Sequence, residues 1–368
     1  LNISVVGIGK LGLCFSLTLE KAGYNVVGVD INENYVAQIN QKTLHSSEAG
    51  VTAVLKKSQN FKATTSLNEA LEHSNIIFVV VATPSLESGR YDHSQVDSLV
   101  DRLNDIGPVK EQKHLIVCCT VMPGYCDSIK EKLNSLNYTV SYNPEFIAQG
   151  TILRDQSRPD MILIGEASEK VGDILEEIYT KHTISSPRIC RMSPKEAEIT
   201  KIALNCFLTT KIAYANMVGD IVIAANGDPH KVLKAIGEDS RIGNKYLGYG
   251  YGYGGPCFPR DNRALAVFAE DVGVEALVSV ASDESNKKHL QNQIQQYISK
   301  NPKDKELVFD YITYKPESTL LVESQQLEYA VGLAREGYKV RIRERKEVIE
   351  ELKKDYGNLF TYEEREND

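Results

Sequence analysis

The stretch Ile3-Ser4-Val5-Val6-Gly7-Ile8-Gly9-Lys10-Leu11-Gly12 decides the reading of this chain. A short β-branched run breaks into a glycine triplet, and an i, i+3, i+4 apolar pattern follows over Lys10–Ala22. GxGxxG alone is weak. Here Gly7, Gly9 and Gly12, with Ile8, Lys10 and Leu11 between them, sit between a predicted strand and a predicted helix. Asp30 then ends a second run, Asn25–Val29. The first two glycines form the turn and let backbone approach a pyrophosphate, the helix N-terminus offers unpaired N–H groups, and Asp30 can accept from ribose hydroxyls. A carboxylate there repels a 2′-phosphate, and no arginine adjoins it, so NAD is favoured over NADP. The alternative is a bare strand–helix turn.

Working outward, further runs occur at Ile76–Val81, His114–Cys119, Thr139–Tyr142 and Met161–Ile164, with helical patterns such as Gln95–Leu103 between them. Apolar strands alternating with helices mean a doubly wound parallel sheet, a Rossmann-type α/β domain over 1–192. The pattern changes at Ser193-Pro194-Lys195-Glu196, which reads as an N-cap, a proline and an acidic first turn. A helix should run to about Ala225 and another over Pro229–Ile236. The glycine- and tyrosine-rich loop Tyr246–Gly255 follows, then helix from about Arg260 to Lys300. Residues 193–300 therefore read as a helical connector. From Lys305 a strand (Leu307–Tyr311), a helix (Glu323–Glu336), a strand (Val340–Arg343), a charged helix (Lys346–Asp355) and a polar tail are expected. Residues 301–368 read as a shortened Rossmann-like αβ domain.

The chain has 368 residues, 42% hydrophobic and 25% charged, and a net charge of −8. That is the balance of a globular protein, and it excludes disorder. Without a basic face, no nucleic-acid partner is expected. No apolar run approaches the roughly 20 residues of a membrane helix, so no membrane partner is expected. With no leader-like segment at the start, the expectation is cytoplasmic. Seven cysteines without a CxxC pair, and seven scattered histidines, give neither a disulfide scaffold nor metal-ligand spacing.

Cys257 lies in Gly252-Tyr253-Gly254-Gly255-Pro256-Cys257-Phe258-Pro259-Arg260-Asp261, just before a predicted helix N-terminus. Helix dipole and nearby cations favour a thiolate there. A packed loop cysteine is the alternative. Lys201 and Asn205 are i and i+4 on one helix face, where a solvated lysine is the plainer reading. Thr83-Pro84, Cys119-Thr120 and Asn143-Pro144-Glu145-Phe146 follow predicted parallel strands, whose carboxyl ends bind ligands in such sheets.

Together these segments resemble the UDP-glucose/GDP-mannose dehydrogenase family over about residues 1–290. The most specific pieces are Asn143–Gly150 (NPEFIAQG), Lys201-x-x-x-Asn205, Asp239–Gly243 (DSRIG) and Gly252–Asp261 (GYGGPCFPRD). The resemblance implies an NAD-dependent twofold oxidation of UDP-glucose, or a related nucleotide sugar such as GDP-mannose, from a C6 alcohol to a carboxylate. It further implies a homodimer formed through the helical connector. By this likeness Cys257 is the nucleophile that carries a thiohemiacetal and then a thioester, and Lys201 steadies the oxyanion. Asn205 and Asp261 place and activate water, Thr120 assists at the C6 hydroxyl, and Glu145 serves thioester hydrolysis. Thr83, Pro84, Thr120, Gln149 and Arg260 would adjoin NAD. Glu145, Phe146, Lys201, Asn205, Tyr246, Gly248, Tyr249, Gly250, Tyr253, Gly254 and Lys315 would line the substrate, and Arg241 would reach the partner's. Gln149 stands where the family has glutamate, and Tyr35 where it has lysine or arginine. Glu317–Ser324 lacks the family's acidic pair and its arginine, whose place Val322 takes. These departures motivate an alternative reading, a catalytically weak relative that binds NAD or a sugar nucleotide.

Overall fold

A computed structural model describes residues 1–147, 150–316 and 318–365. Its contacts fall into two compact units, 1–201 and 202–368.

In the first unit, β1 (Asn2–Val6), α1 (Lys10–Lys21), β2 (Asn25–Val29), α2 (Glu33–Asn40), α3 (Val51–Lys57), β3 (Phe61–Thr64), α4 (Leu67–His73) and β4 (Ile76–Val79) come first. Then follow α5 (Ser94–Ile106), β5 (Lys113–Val117), α6 (Tyr125–Leu133), β6 (Tyr138–Tyr142), α7 (Ile152–Ser157), β7 (Met161–Gly165), α8 (Glu169–His182) and β8 (Arg188–Met192). The strands form one sheet in the order β3-β2-β1-β4-β5-β6-β7-β8. Pairing is parallel from β3 through β6; β7 meets β6 antiparallel and runs parallel to β8. The order reverses between β1 and β4, which opens a crevice at the strands' carboxyl ends. Gly7, Thr83, Thr120 and Asn143 each follow a strand at that end.

The sheet is buried on both faces, as its apolar strands require. Ile3, Val5, Phe15, Phe78, Ile116 and Tyr179 belong to one apolar cluster, and Val6, Leu99, Val117, Leu133 and Tyr142 to the other. Ser4, buried inside β1, donates to the Ala70 carbonyl at 2.7 Å, so its hydroxyl costs little. The edge strands β3 and β8 do not stand out in the sequence. Ala63 is the one buried residue of β3, and β8 has none, so neither carries a continuous apolar run.

α9 (Pro194–Ala224) starts with a capping box in which Ser193 and Glu196 bond reciprocally. One turn in, Glu198 is fully buried. Its carboxylate accepts from the Gly124 N–H at 2.5 Å and the Cys126 N–H at 2.8 Å, at the start of α6. The helix is long and apolar enough by composition to cross a membrane, yet only 33% of its most apolar window is buried within the chain.

The second unit continues α9 and adds α10 (Pro229–Gly237), α11 (Phe258–Asp271) and α12 (Leu277–Lys300). The single helix expected from Arg260 to Lys300 is thus two helices. Gly273, at φ +74°, sits in the break, a backbone that favours glycine. β9 (Leu307–Phe309), α13 (Gln325–Arg335), β10 (Val340–Glu344), α14 (Lys346–Tyr356) and β11 (Thr361–Glu364) follow, with a parallel sheet ordered β11-β10-β9. The expected polar tail therefore holds a strand. β11 pairs with β10 from Thr361 to Glu364, and Glu363 bridges Arg341 and Arg343. Cross-strand charge takes the place of apolar alternation there.

Glu198→Ala should lower unfolding free energy by about 2–4 kcal/mol, because a buried and a partly buried N–H donor lose their carboxylate acceptor. Urea denaturation measures this. A loss under about 0.5 kcal/mol would mean the two bonds hold nothing.

Candidate active site

The first unit brings the glycine turn, three strand ends and Lys201 to one end of the sheet. Gly7 has φ +87°, and a Cβ there would lie 2.5 Å from the Val80 carbonyl oxygen. A Cβ on Gly12 would lie 1.9 Å from the Gly7 carbonyl oxygen, so α1 can pack this close only with glycine. Gly9 has nothing within 4 Å of its Cβ position, and no side chain caps α1. The turn is thus open exactly where backbone N–H groups could meet phosphate. Asp30 accepts from the Asn32 N–H at 3.0 Å. Beside it, burial and then the Asp30 charge push the Tyr35 phenol up to about 12, so it stays a neutral hydroxyl.

Thr83 follows β4 and donates to the Thr120 carbonyl at 2.7 Å, which joins two of the loops singled out in the sequence. After β6, Asn143 is buried. It donates to the Leu163 carbonyl at 2.8 Å and accepts from the Tyr179 hydroxyl at 2.6 Å. Further along this loop, the Gly150 N–H meets both oxygens of buried Glu48 at 2.8 and 2.9 Å. Glu145 and Phe146 lie between these anchors. Gln149 lies outside the described residues. Lys201, buried, donates to the Glu145 carbonyl at 2.8 Å, and its ammonium stands 4.3 Å from the centre of the Phe146 ring. Burial raises the Glu145 carboxyl to about 7, with Lys201 pulling the other way. A carboxyl poised near neutrality suits proton transfer.

In the second unit Cys257 caps the N-terminus of α11 and is solvent-exposed, whereas the other cysteines are buried or partly buried. Its carbonyl accepts from the Asp261 N–H at 2.9 Å. Asp261 is 1% exposed. It accepts from Asn205 Nδ2 at 2.7 Å and lies 3.4 Å from Arg260 Nε. Asn205, Asp261 and the Cys257 backbone are therefore brought together. Asn205 also follows Lys201 by one turn on the same helix face.

The loop before Cys257 is held by polar side chains. Asn216 accepts from the Gly250 N–H at 3.0 Å and donates to the Tyr251 carbonyl at 3.2 Å. Asn286 bonds both the N–H and the carbonyl of Tyr253 at 2.9 Å. A Cβ on Gly254 would lie 2.0 Å from the Glu323 carbonyl oxygen, and the Gly255 N–H donates to the Val322 carbonyl at 3.1 Å. Val322 thus meets the loop through its backbone carbonyl. Tyr253 is buried, its hydroxyl spent on Asp283 and Asn262. Tyr246 is half-exposed at φ +61°. Arg241, 86% exposed, pairs with Asp239 at 2.7 Å. Lys315 lies 5.8 Å from the centre of the Tyr314 ring.

Glu48, Glu198, Asn216 and Asn286 did not emerge from the sequence. One signal was available. α12 buries Ser279, Ser282, Asn286 and His289, a helix face that is inward and polar. Among the described residues, no group of three or more His, Cys, Asp or Glu is placed to hold a metal.

Residues 1–183 match the NAD-binding domain of the UDP-glucose/GDP-mannose dehydrogenase family, and residues 195–288 match its central domain. The chain is 30% identical over 299 residues to a UDP-glucose 6-dehydrogenase of Rickettsia felis, covering 80% of this chain and 66% of that protein. It is 29% identical over 359 residues to a GDP-mannose 6-dehydrogenase of Pseudomonas aeruginosa, covering 94% and 81%. A solved UDP-glucose dehydrogenase from Pyrobaculum islandicum superposes with a TM-score of 0.86 at 28% identity, covering 99% of this chain and 86% of that one. With two of the family's domains matched in order across most of its length, the chain belongs to the UDP-glucose/GDP-mannose dehydrogenase family, NAD-binding oxidoreductases of nucleotide sugars.

Proposed function

We propose that this chain oxidises UDP-glucose twice at C6, giving UDP-glucuronate. The observation that carries the reading is Cys257, exposed at the head of α11, with the buried Asn205–Asp261 pair one turn on. NAD fits the open glycine turn, with backbone N–H groups of Gly7–Gly12 for its pyrophosphate and Asp30 for its ribose. Bound NAD supplies the hydride acceptor.

In this reading Thr120 and Glu145 border the C6 hydroxyl. Once the alcohol has become an aldehyde, the Cys257 thiolate adds to C6, and Lys201 steadies the oxyanion that forms. A second oxidation turns that adduct into a thioester. Asn205 and Asp261 hold the water that releases the acid, and ionised Glu145 takes its proton. Phe146, Tyr246, Gly248–Gly250, Tyr253, Gly254 and Lys315 are assigned to the nucleotide sugar. Thr83, Pro84, Gln149 and Arg260 are assigned to the cofactor side.

We further propose a homodimer. Phe207, Tyr214, Met217 and Ile221 are 65%, 49%, 42% and 60% exposed and recur at helical spacing on one side of α9. Lys201 and Asn205 lie on the opposite side of the helix. A second copy laid along that stripe would cover it and bring Arg241 toward the partner's substrate.

The test is NADH absorbance with UDP-glucose, GDP-mannose or UDP-N-acetylglucosamine. About two NADH per UDP-glucose are expected, and Cys257→Ser should cut acid formation by on the order of 10³-fold. Preference for GDP-mannose would move the substrate assignment. NAD binding without any turnover would make the chain a silent relative.

Glu145 yields a pH prediction. Its carboxyl is neutral below about 7, so acid release should rise as pH passes that value. Glu145→Gln should flatten the rise and lower its plateau by about 10²-fold. The stability sign follows from the same raised value. The preference for the neutral form stabilises the fold below the unfolded carboxyl's ordinary value and is lost as pH climbs through about 7. An unchanged profile in the variant would remove Glu145 from the mechanism.

Light scattering checks the dimer. Wild type should weigh twice the 41.0 kDa chain, and Phe207→Asp with Ile221→Asp should weigh one chain. A monomeric wild type would refute the assignment.

A further inference from the structure

His289 lies on the inward face of α12 and is 1% exposed. Both ring nitrogens meet oxygen: Nδ1 is 2.9 Å from Asp220 Oδ2, and Nε2 is 2.7 Å from the Gly250 carbonyl. A carbonyl oxygen only accepts. Asp220 also receives the Tyr249 hydroxyl at 3.0 Å and Asn292 Nδ2 at 2.9 Å, the surroundings of an ionised carboxylate. Burial alone would raise its pKa, but the bonds from His289, Asn292 and Tyr249 outweigh burial and hold it below the usual range. A neutral imidazole has one N–H and one lone pair. It can serve one of these oxygens while facing the other lone pair to lone pair. Both bonds form together only when each ring nitrogen carries a proton.

The neighbours are few. Asp220 faces the ring from α9 and Tyr249 from the loop, its ring 5.4 Å away. Behind Tyr249 stand His230 of α10, 6.3 Å from it, and Tyr329 of α13. Gln293 adds a second donor to the Gly250 carbonyl at 3.0 Å. His289 therefore ties the loop to α9 through Asp220.

We propose that His289 is a positioning residue: bridging the Gly250 carbonyl and Asp220 with its two ring nitrogens, it fixes Tyr246–Gly255 for the nucleotide sugar. Loss of the imidazole removes the bridge and loosens the loop ahead of Cys257. This rests on the reading of that loop as substrate-lining.

The experiment compares the full chain with His289→Gln and with Asp220→Asn, which removes the other end of the bridge. Amide exchange of Gly250–Gly255 should quicken about tenfold in each variant. The KM for UDP-glucose should rise several-fold with kcat little changed. Asp220→Asn keeps the test decisive if His289→Gln does not fold. Exchange and KM left unchanged by both substitutions overturn the clamp. A chain that turns over no nucleotide sugar counts against the reading of the loop, while the exchange results still decide the clamp.

Discussion

Much of the first unit depends on the carboxylate of Glu198. An apolar helix as long as α9 could slide or rotate on a smooth apolar surface. A buried carboxylate that accepts two backbone N–H groups at the start of α6 fixes both register and rotation. Lys201 follows less than one turn later, and its ammonium then falls on the Glu145 carbonyl and the face of Phe146. The same α6 start closes the loop that carries Thr120. One ion, taken out of water, thus sets where another is presented. Its partners are two backbone donors and the Cys126 thiol.

The second unit is built differently. One apolar cluster belongs to the small β9–β11 sheet and a smaller one to α9, α10 and Leu247, while the loop that leads to Cys257 is held by amides and an imidazole from α9 and α12. Gly254 lets that loop lie against the Glu323 backbone and Gly255 against the Tyr314 ring, and the Gly255 N–H donates to the Val322 carbonyl. The changes in Glu317–Ser324 relative to the family fall partly on this contact. The contact at Val322 is made through its backbone carbonyl.

The strands of the large sheet and the glycine turn were legible because burial on both faces forces continuous apolar runs, and because a tight strand–helix turn demands glycine. β3, β8 and β11 were not, since edge strands and charge-paired strands lack that run. The break at Gly273 was not legible either, since the face that α12 buries is polar and offers no apolar period by which to separate it from α11. Lys201, Asn205 and Asp261 were visible as a pattern, and the structure adds that Asn205 and Asp261 are bonded and buried. The anchors behind them were not visible. Glu48, Glu198 and Asn286 act on backbone groups, and a backbone partner leaves no mark in the sequence.

The inward polar face of α12 has a thermal consequence. Unfolding exposes apolar surface with a large positive heat capacity change, and polar surface lowers that change. A region whose buried face is Ser279, Ser282, Asn286 and His289 exposes less oil and more amide than a leucine-lined helix would. Its contribution to the stability curve is therefore flatter in temperature.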